Sequence, residues 1–290
     1  MYVHHSFSWK YFKNVPDHVF AKEWKESNNP FHPKAFEMTR YQQEIALLSD
    51  IVITVTNHAK DFFINELDIP AKKIVAIYNG MPLPEKKENN LGLRKKYGFT
   101  QSEKIILFSG RVTKDKGFPD LLRAFKLVAD KNRKVKLVVM GSGSLLGYTS
   151  IVKPHWSKII YTGELEQQQV NDFYQLADIG AIPSLHEQCS FTAIEMRLNK
   201  LPVIVGGADG LDELFSHEQD SLKLAIHLNQ TGERALDEKE FAYYVERLMA
   251  DRKFSNFLAK NSYIKGVQKF SSEVMWEKYG QVLTDIYRST

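Results

Sequence analysis

Glu187 and Glu195 close a run that reads Ser184-Leu185-His186-Glu187-Gln188-Cys189-Ser190-Phe191-Thr192-Ala193-Ile194-Glu195. A short apolar segment, Ile179 to Pro183, precedes it and reads as the end of a buried strand. Phe191 to Leu198 reads as the first turns of a helix. One carboxylate therefore lies in the loop before a helix and the other just over a turn inside it. The helix start, at Ser190, Phe191 and Thr192, offers unpaired backbone N–H groups and the positive end of the dipole, which suits a phosphate. Carboxylates on either side accept hydrogen bonds from hydroxyl groups. The layout would suit a nucleotide sugar, with the sugar at Glu187, the diphosphate at the helix start and the ribose at Glu195. Two glutamates at this spacing are common, and the pair alone reads equally as a solvated loop residue and a helix-surface residue.

A second stretch with chemistry is Gly110-Arg111-Val112-Thr113-Lys114-Asp115-Lys116-Gly117, directly after the apolar run Lys104 to Ser109. Glycine and two cations between a strand and a helix form a plausible anion cradle. It is not a P-loop, because the Gly-Lys-Ser/Thr ending is missing. Two solvated surface cations are the other reading. Gly141-Ser142-Gly143-Ser144 follows the strand Val135 to Met140, and its glycines let a ligand approach the backbone. With Gly147 it half-mimics a dinucleotide fingerprint, but the spacing is wrong.

The elements that must position these residues alternate regularly. Helical spacing over Met38, Tyr41, Ile45 and Leu48 leads to the β-branched run Ile51 to Val55. Thr56 or Asn57 caps the next helix, Lys73 to Tyr78 is a strand, and Asn79-Gly80 closes it. Residues 81–90 read as an interdomain linker. Further strands are expected at 104–109, 135–140, 158–161, 179–183, 201–205 and 222–226, the last of the chain. The tail from Glu238 is helical. This pattern predicts an α/β fold with parallel, doubly wound sheets, whose ligands sit outside the carboxyl ends of the strands. Arg111, Gly143, Gly163, Glu187 and Gly207 all fall in such loops, so one pocket is expected to collect them.

The glutamate run resembles the E-x7-E motif of retaining glycosyltransferases of the GT-B fold, glycosyltransferase family 4 in particular, and the Gly110–Gly117 loop resembles that family's Gly-Arg…Lys-Gly loop. The resemblance implies two Rossmann-like domains facing across a cleft, the N-terminal one incomplete. It divides the chain at 1–88, 89–272 and 273–290, the final helix crossing back to the first domain. It implies that Arg111 and Lys116, with Gly110, neutralise the donor diphosphate, that Gly141 and Gly143 lie near the nucleotide, and that Gly163, Glu164 and Leu165 hold the base through their backbone. His5, or else His4, matches a histidine that faces the donor sugar. His5 is preferred because Ser6-Phe7-Ser8-Trp9 fits the loop that follows in some members. The activity implied is transfer of a sugar from a UDP- or GDP-sugar to a glycan, lipid or other acceptor with retention, metal-independent and without a cofactor. No covalent nucleophile stands out, so front-face and double displacement both remain open.

Family members carry a longer N-terminal domain with a Gly-rich loop, and nothing before Met1 supplies one here. The chain thus reads as a compact variant, a fragment, or one half of a split enzyme with a complementing subunit. A non-catalytic donor-binding subunit is the alternative function, and an NAD-dependent oxidoreductase a remoter one. With 290 residues, 43% hydrophobic and 26% charged, the composition is that of a globular protein of two domains. Its net charge of +4 does not call for nucleic acid. No apolar run approaches the ~20 residues of a membrane span. The single cysteine, Cys189, suits a reducing cytoplasm and reads as a small buried thiol. There is no Asp-x-Asp, and Ser190 stands where a His-Glu-x-x-His metal motif needs its second histidine. Residues 10–33 mix basic and aromatic side chains, which suits either an acceptor or the inner membrane face, or a cover over the core.

Overall fold

The computed structural model describes residues 1–12, 15–26, 32–84 and 90–289. Its first unit is a small parallel sheet, ordered β1 (Tyr2–His4), β2 (Val52–Thr54), β3 (Ile74–Ala76), with helices α1 (Asp17–Glu26), α2 (Pro33–Leu48) and α3 (Asn57–Asn65). Thr56 caps α3 by accepting the Ala59 N–H at 3.1 Å. Aromatic side chains make this core: Phe7, Trp9, Phe20 and Phe63 are buried, and Trp9 stacks on Phe20 at 4.1 Å between ring centres. For residues 10–33, Phe20 points inward and Trp24 packs against the same core, as a cover over the core requires. Residues 13, 14 and 27–31 of that segment lie outside the described residues.

His4 belongs to this core. Its ring lies 4.6 Å from those of Phe7 and Phe63. Burial, then the nearby His5 and Lys10 charges, lower its pKa to about 3. The folded state therefore binds fewer protons than the unfolded chain between about pH 3 and 6.5, and stability falls as pH drops through that window. Replacing His4 by phenylalanine should remove this contribution. Unfolding free energies from urea titrations at pH 7 and pH 4.5 should converge relative to wild type by a few kcal/mol, about 1.4 kcal/mol per pH unit; an unchanged gap refutes the account.

The second unit begins with α4 (Asn90–Lys96) and holds a six-stranded parallel sheet in the order β6 (Ile159–Gly163), β5 (Val135–Met140), β4 (Lys104–Ser109), β7 (Ile179–Ile182), β8 (Val203–Gly206), β9 (Leu222–Leu224). Successive β4 residues bury on opposite faces, as a sheet covered on both sides requires. Ile106 and Phe108 pack with α5 (Phe118–Lys131) and α9 (Glu238–Ala250). Ile105 and Leu107 pack with α6 (Gln167–Leu176) and α7 (Phe191–Leu198). The strand order reverses between β4 and β7, the place where ligands of such sheets bind outside the carboxyl ends of the strands. The loops leaving those two strands carry Lys116 and Glu187.

The expectation that 222–226 is the last strand is overturned. The chain ends β9 at Leu224 and forms an antiparallel hairpin, β10 (Ile226–Leu228) and β11 (Arg234–Leu236). Its turn uses Gly232 at φ +77° and the Asn229 carboxamide oxygen, which accepts the Thr231 and Glu233 N–H groups. After α8 (Asp209–Leu214), α9 and α10 (Arg252–Phe270), the last helix is α11 (Ser272–Ser289). The α10–α11 junction brackets Met81, whose N–H donates to Phe270 O and whose carbonyl accepts from Ser272 N, both at 2.9 Å. Met275 and Lys278 touch Gly80 and Tyr78, while Trp276, Leu283 and Tyr287 are exposed. No helix among the described residues is long and apolar enough to cross a membrane.

Candidate active site

The β4–α5 loop and the β7–α7 loop are stitched together by backbone. Leu185 N–H donates to Asp115 O at 2.9 Å. Gly117, at φ +64°, lies so close that a methyl group there would sit 1.9 Å from the Pro183 carbonyl oxygen. Lys116 and Glu187 extend from this seam and meet: Lys116 Nζ donates to Glu187 Oε2 at 2.6 Å, each side chain about one fifth exposed. Around them, His5, Ser6, Phe7 and Lys10 of the first unit face Arg111, Asp115, His186 and Gln188 of the second across a crevice of about 80 Å³. Of the two neighbouring histidines His4 and His5, it is His5 that lines this crevice; His4 is in the core. Arg111 is half exposed and reaches Asp115 at 3.3 Å.

At the start of α7 the Ser190 hydroxyl accepts the Ala193 N–H, capping the helix. The N–H groups of Phe191 and Thr192 have no acceptor among the described residues. They remain available to an anion, as at any helix start whose orphan donors are not all capped.

Glu195 is placed differently from the reading that gathers both glutamates at one crevice. It is absent from the crevice lining and faces a second hollow with Met81, Leu83, Gln167, Gln168 and Asn171. Its carboxylate accepts the Tyr174 O–H at 2.8 Å, and burial raises its pKa. The physical reason is helical phase: Glu195 falls on the face of α7 turned toward α6, whereas Glu187 sits on a loop turned toward α5.

The glycines divide as well. The space beside Gly141 and Gly143 is filled by neighbouring loops. A methyl group at Gly141 would lie 2.3 Å from Gly110 O, and one at Gly143 2.8 Å from the Val112 side chain. These two glycines let loop pack on loop. Gly163, at φ +69°, has no such neighbour, and Gly110 has nothing closer than 3.8 Å. Glu164 is exposed and Leu165 half-buried, both at the carboxyl end of β6. Gly207 pairs with Leu224 at the far side of the sheet and does not line the crevice. Cys189 is buried, and burial pushes its thiol up to about 12, so it stays protonated.

Several residues of this region carry no signal in the sequence. Thr56 donates its hydroxyl to Gln188 Oε1 at 2.9 Å, and Asn79 donates its amide to Cys189 O at 2.8 Å. Glu213 of α8 accepts the Asn57 and His58 N–H groups at the start of α3 at 3.0 and 2.9 Å. Together they join the first unit to the loop that carries Glu187. Asp17, His58 and Asp209 approach within 4.8 Å of one another, a spacing that could hold a metal ion. Lys10 and Arg234 already neutralise both carboxylates, so the group fits a divalent cation poorly.

Residues 90–265 match the family described as glycosyl transferases group 1. An uncharacterized glycosyltransferase of Methanocaldococcus jannaschii is 26% identical over 245 residues, 82% of this chain and 59% of its own length. The lipopolysaccharide 1,2-N-acetylglucosaminetransferase of Salmonella typhimurium is 25% identical over 77% of this chain and 61% of its own. The chain thus spans about three fifths of these relatives. Sucrose-phosphate synthase from Thermosynechococcus elongatus superposes with a TM-score of 0.80 over 99% of this chain and 68% of that one, at 18% identity. The Anabaena protein HepE in complex with UDP-glucose does so with a TM-score of 0.75 over 88% of this chain and 70% of that one, at 17% identity. The α/β architecture is that of GT-B glycosyltransferase structures.

Proposed function

The chain belongs to the glycosyl transferases group 1 family, and from that premise we propose that it moves a sugar from a nucleoside diphosphate sugar, UDP- or GDP-linked, to a glycan or lipid-linked acceptor with retention, as a member of glycosyltransferase family 4. The observation that carries the reading is the Lys116–Glu187 pair facing His5 across the crevice. The bond between the sugar and the diphosphate breaks and the acceptor hydroxyl oxygen bonds to the anomeric carbon, directly or after a first displacement, its proton passing to the released diphosphate. Arg111, Lys116 and the Phe191 and Thr192 N–H groups meet the charge that develops on the diphosphate, an electrostatic role. Glu187 orients the sugar hydroxyls, His5 closes the sugar from the opposite wall, and Gly163 to Leu165 lie toward the base.

The test is a panel of UDP-, GDP- and ADP-sugars titrated against the melting temperature, since a ligand bound by the folded form alone raises it. Donor hydrolysis or transfer by the purified chain follows. A melting shift without turnover favours the second reading, a donor-binding subunit completed by another polypeptide. No shift with any donor discards both.

Glu195 is assigned to the ribose. Glu195→Ala leaves the buried Tyr174 hydroxyl with the longer contact to Ser109 Oγ at 3.3 Å and should cost about 1 kcal/mol of stability, besides weakening donor binding. Glu195→Gln keeps an acceptor for Tyr174, so its donor affinity isolates the ribose role. Wild-type affinity in both variants takes Glu195 out of the donor site.

A further inference from the structure

Behind the crevice lies a buried charge cluster whose centre is Asp209. It begins α8 in the left-handed region, at φ +49°, and its side chain is 2% exposed. Oδ2 takes Lys10 Nζ at 2.6 Å and faces His186 Nδ1 at 3.4 Å; Oδ1 takes an Arg234 guanidinium N–H at 2.9 Å. Arg234 also donates to Leu185 O at 2.8 Å, and Gly210 N–H donates to Glu187 O at 2.9 Å. The backbone and rings of residues 185–187 are therefore all held from the Asp209–Gly210 corner and from the β10–β11 hairpin. Asp17 takes the same Lys10 ammonium at 2.9 Å.

Lys10 also lines the crevice that contains Glu187. Three cations, Lys10, Arg111 and Lys116, thus border a space with two carboxylates, Glu187 and Asp115. Two of the cations have settled partners there: Lys116 with Glu187 and Arg111 with Asp115. Lys10 is turned away, toward Asp209 at 2.6 Å and Asp17 at 2.9 Å, and Asp209 is the closer and more deeply buried of the two. In so confined a space an unrestrained ammonium group would compete with Lys116 and with the sugar hydroxyls for the Glu187 oxygens.

We infer that Asp209 is a positioning residue: its carboxylate withholds Lys10 from Glu187. This rests on the proposed transferase reading for its kinetic consequence, but not for the placement of Lys10. The two parts are tested separately. Reductive methylation of the native protein, followed by peptide mass spectrometry, reads the freedom of each lysine. Lys10 should react at least about tenfold more slowly than the exposed Lys22, and Asp209→Asn should remove most of that protection. Equal rates for Lys10 in wild type and Asp209→Asn overturn the inference whether or not the protein transfers sugar.

The kinetic arm is a double-mutant cycle. Asp209→Asn should lower kcat about 10²-fold with donor KM changed far less, and Lys10→Met added to it should recover at least tenfold. A purely structural role predicts that activity tracks the melting temperature, with no recovery. Should Asp209→Asn fail to fold, Lys10→Met is compared with Lys10→Met/Asp209→Asn, which strands no lysine. Similar kcat values are expected there, and a further hundredfold loss in the double variant overturns the inference.

Discussion

Glu187→Ala should lower transfer about 10³-fold, the upper end of what one preorganised polar group contributes in an active site. Glu187 is where the two sides of the crevice meet. Its carboxylate receives Lys116 at 2.6 Å, its carbonyl is fixed by Gly210, and its loop is tied to the first unit through Gln188 and Thr56. The alanine removes the acceptor for the sugar hydroxyls and leaves Lys116 without its carboxylate. Steady-state kinetics with the donor selected by the melting panel measures the loss. Glu187→Gln separates the two contributions, because it keeps an acceptor but not the charge. Turnover of Glu187→Ala near the wild-type rate would remove the basis of the proposed mechanism.

Lys116→Ala should cost about 10²-fold in kcat and weaken the donor as well. Its side chain is four-fifths buried, which shields it from the screening that weakens exposed charges. Arg111 is half exposed and tied to Asp115, so Arg111→Ala should cost less than Lys116→Ala. A comparison of the two variants at low and high salt checks the physical basis. The Arg111 contribution should shrink with ionic strength while that of Lys116 persists. The reverse order would mean that the diphosphate lies nearer the exposed guanidinium than the crevice floor.

Strand identity was legible from the residues because a parallel sheet covered on both faces demands unbroken apolar, β-branched runs. Lys104–Ser109 and Val135–Met140 are strands over the same residues that their composition marks. The Thr56 cap and the helix beginning at Pro119's turn follow from local chemistry, a hydroxyl before a helix and a fixed φ at its start. The hairpin at 226–236 escaped because each strand has three residues and one is largely exposed, too short for alternation to register. Arg234, which supports the Glu187 loop, therefore escaped with it.

The sequence by itself determined that Lys116 and Glu187 stand at the carboxyl ends of parallel strands, since their loops are bounded by apolar runs and helix starts. It could not determine that the two loops are neighbours. That follows from the strand order, in which β4 pairs with β7 across a long stretch of chain. Nor could it divide the two glutamates, because the direction of Glu195 depends on which helix packs against α7, and that helix brings Tyr174. The balance of charge around Lys10 was likewise decided by tertiary structure alone. Asp209, Asp17 and Arg234 are remote from Lys10 in sequence or belong to other elements, and they meet because burying an ammonium group requires carboxylates within hydrogen-bond reach.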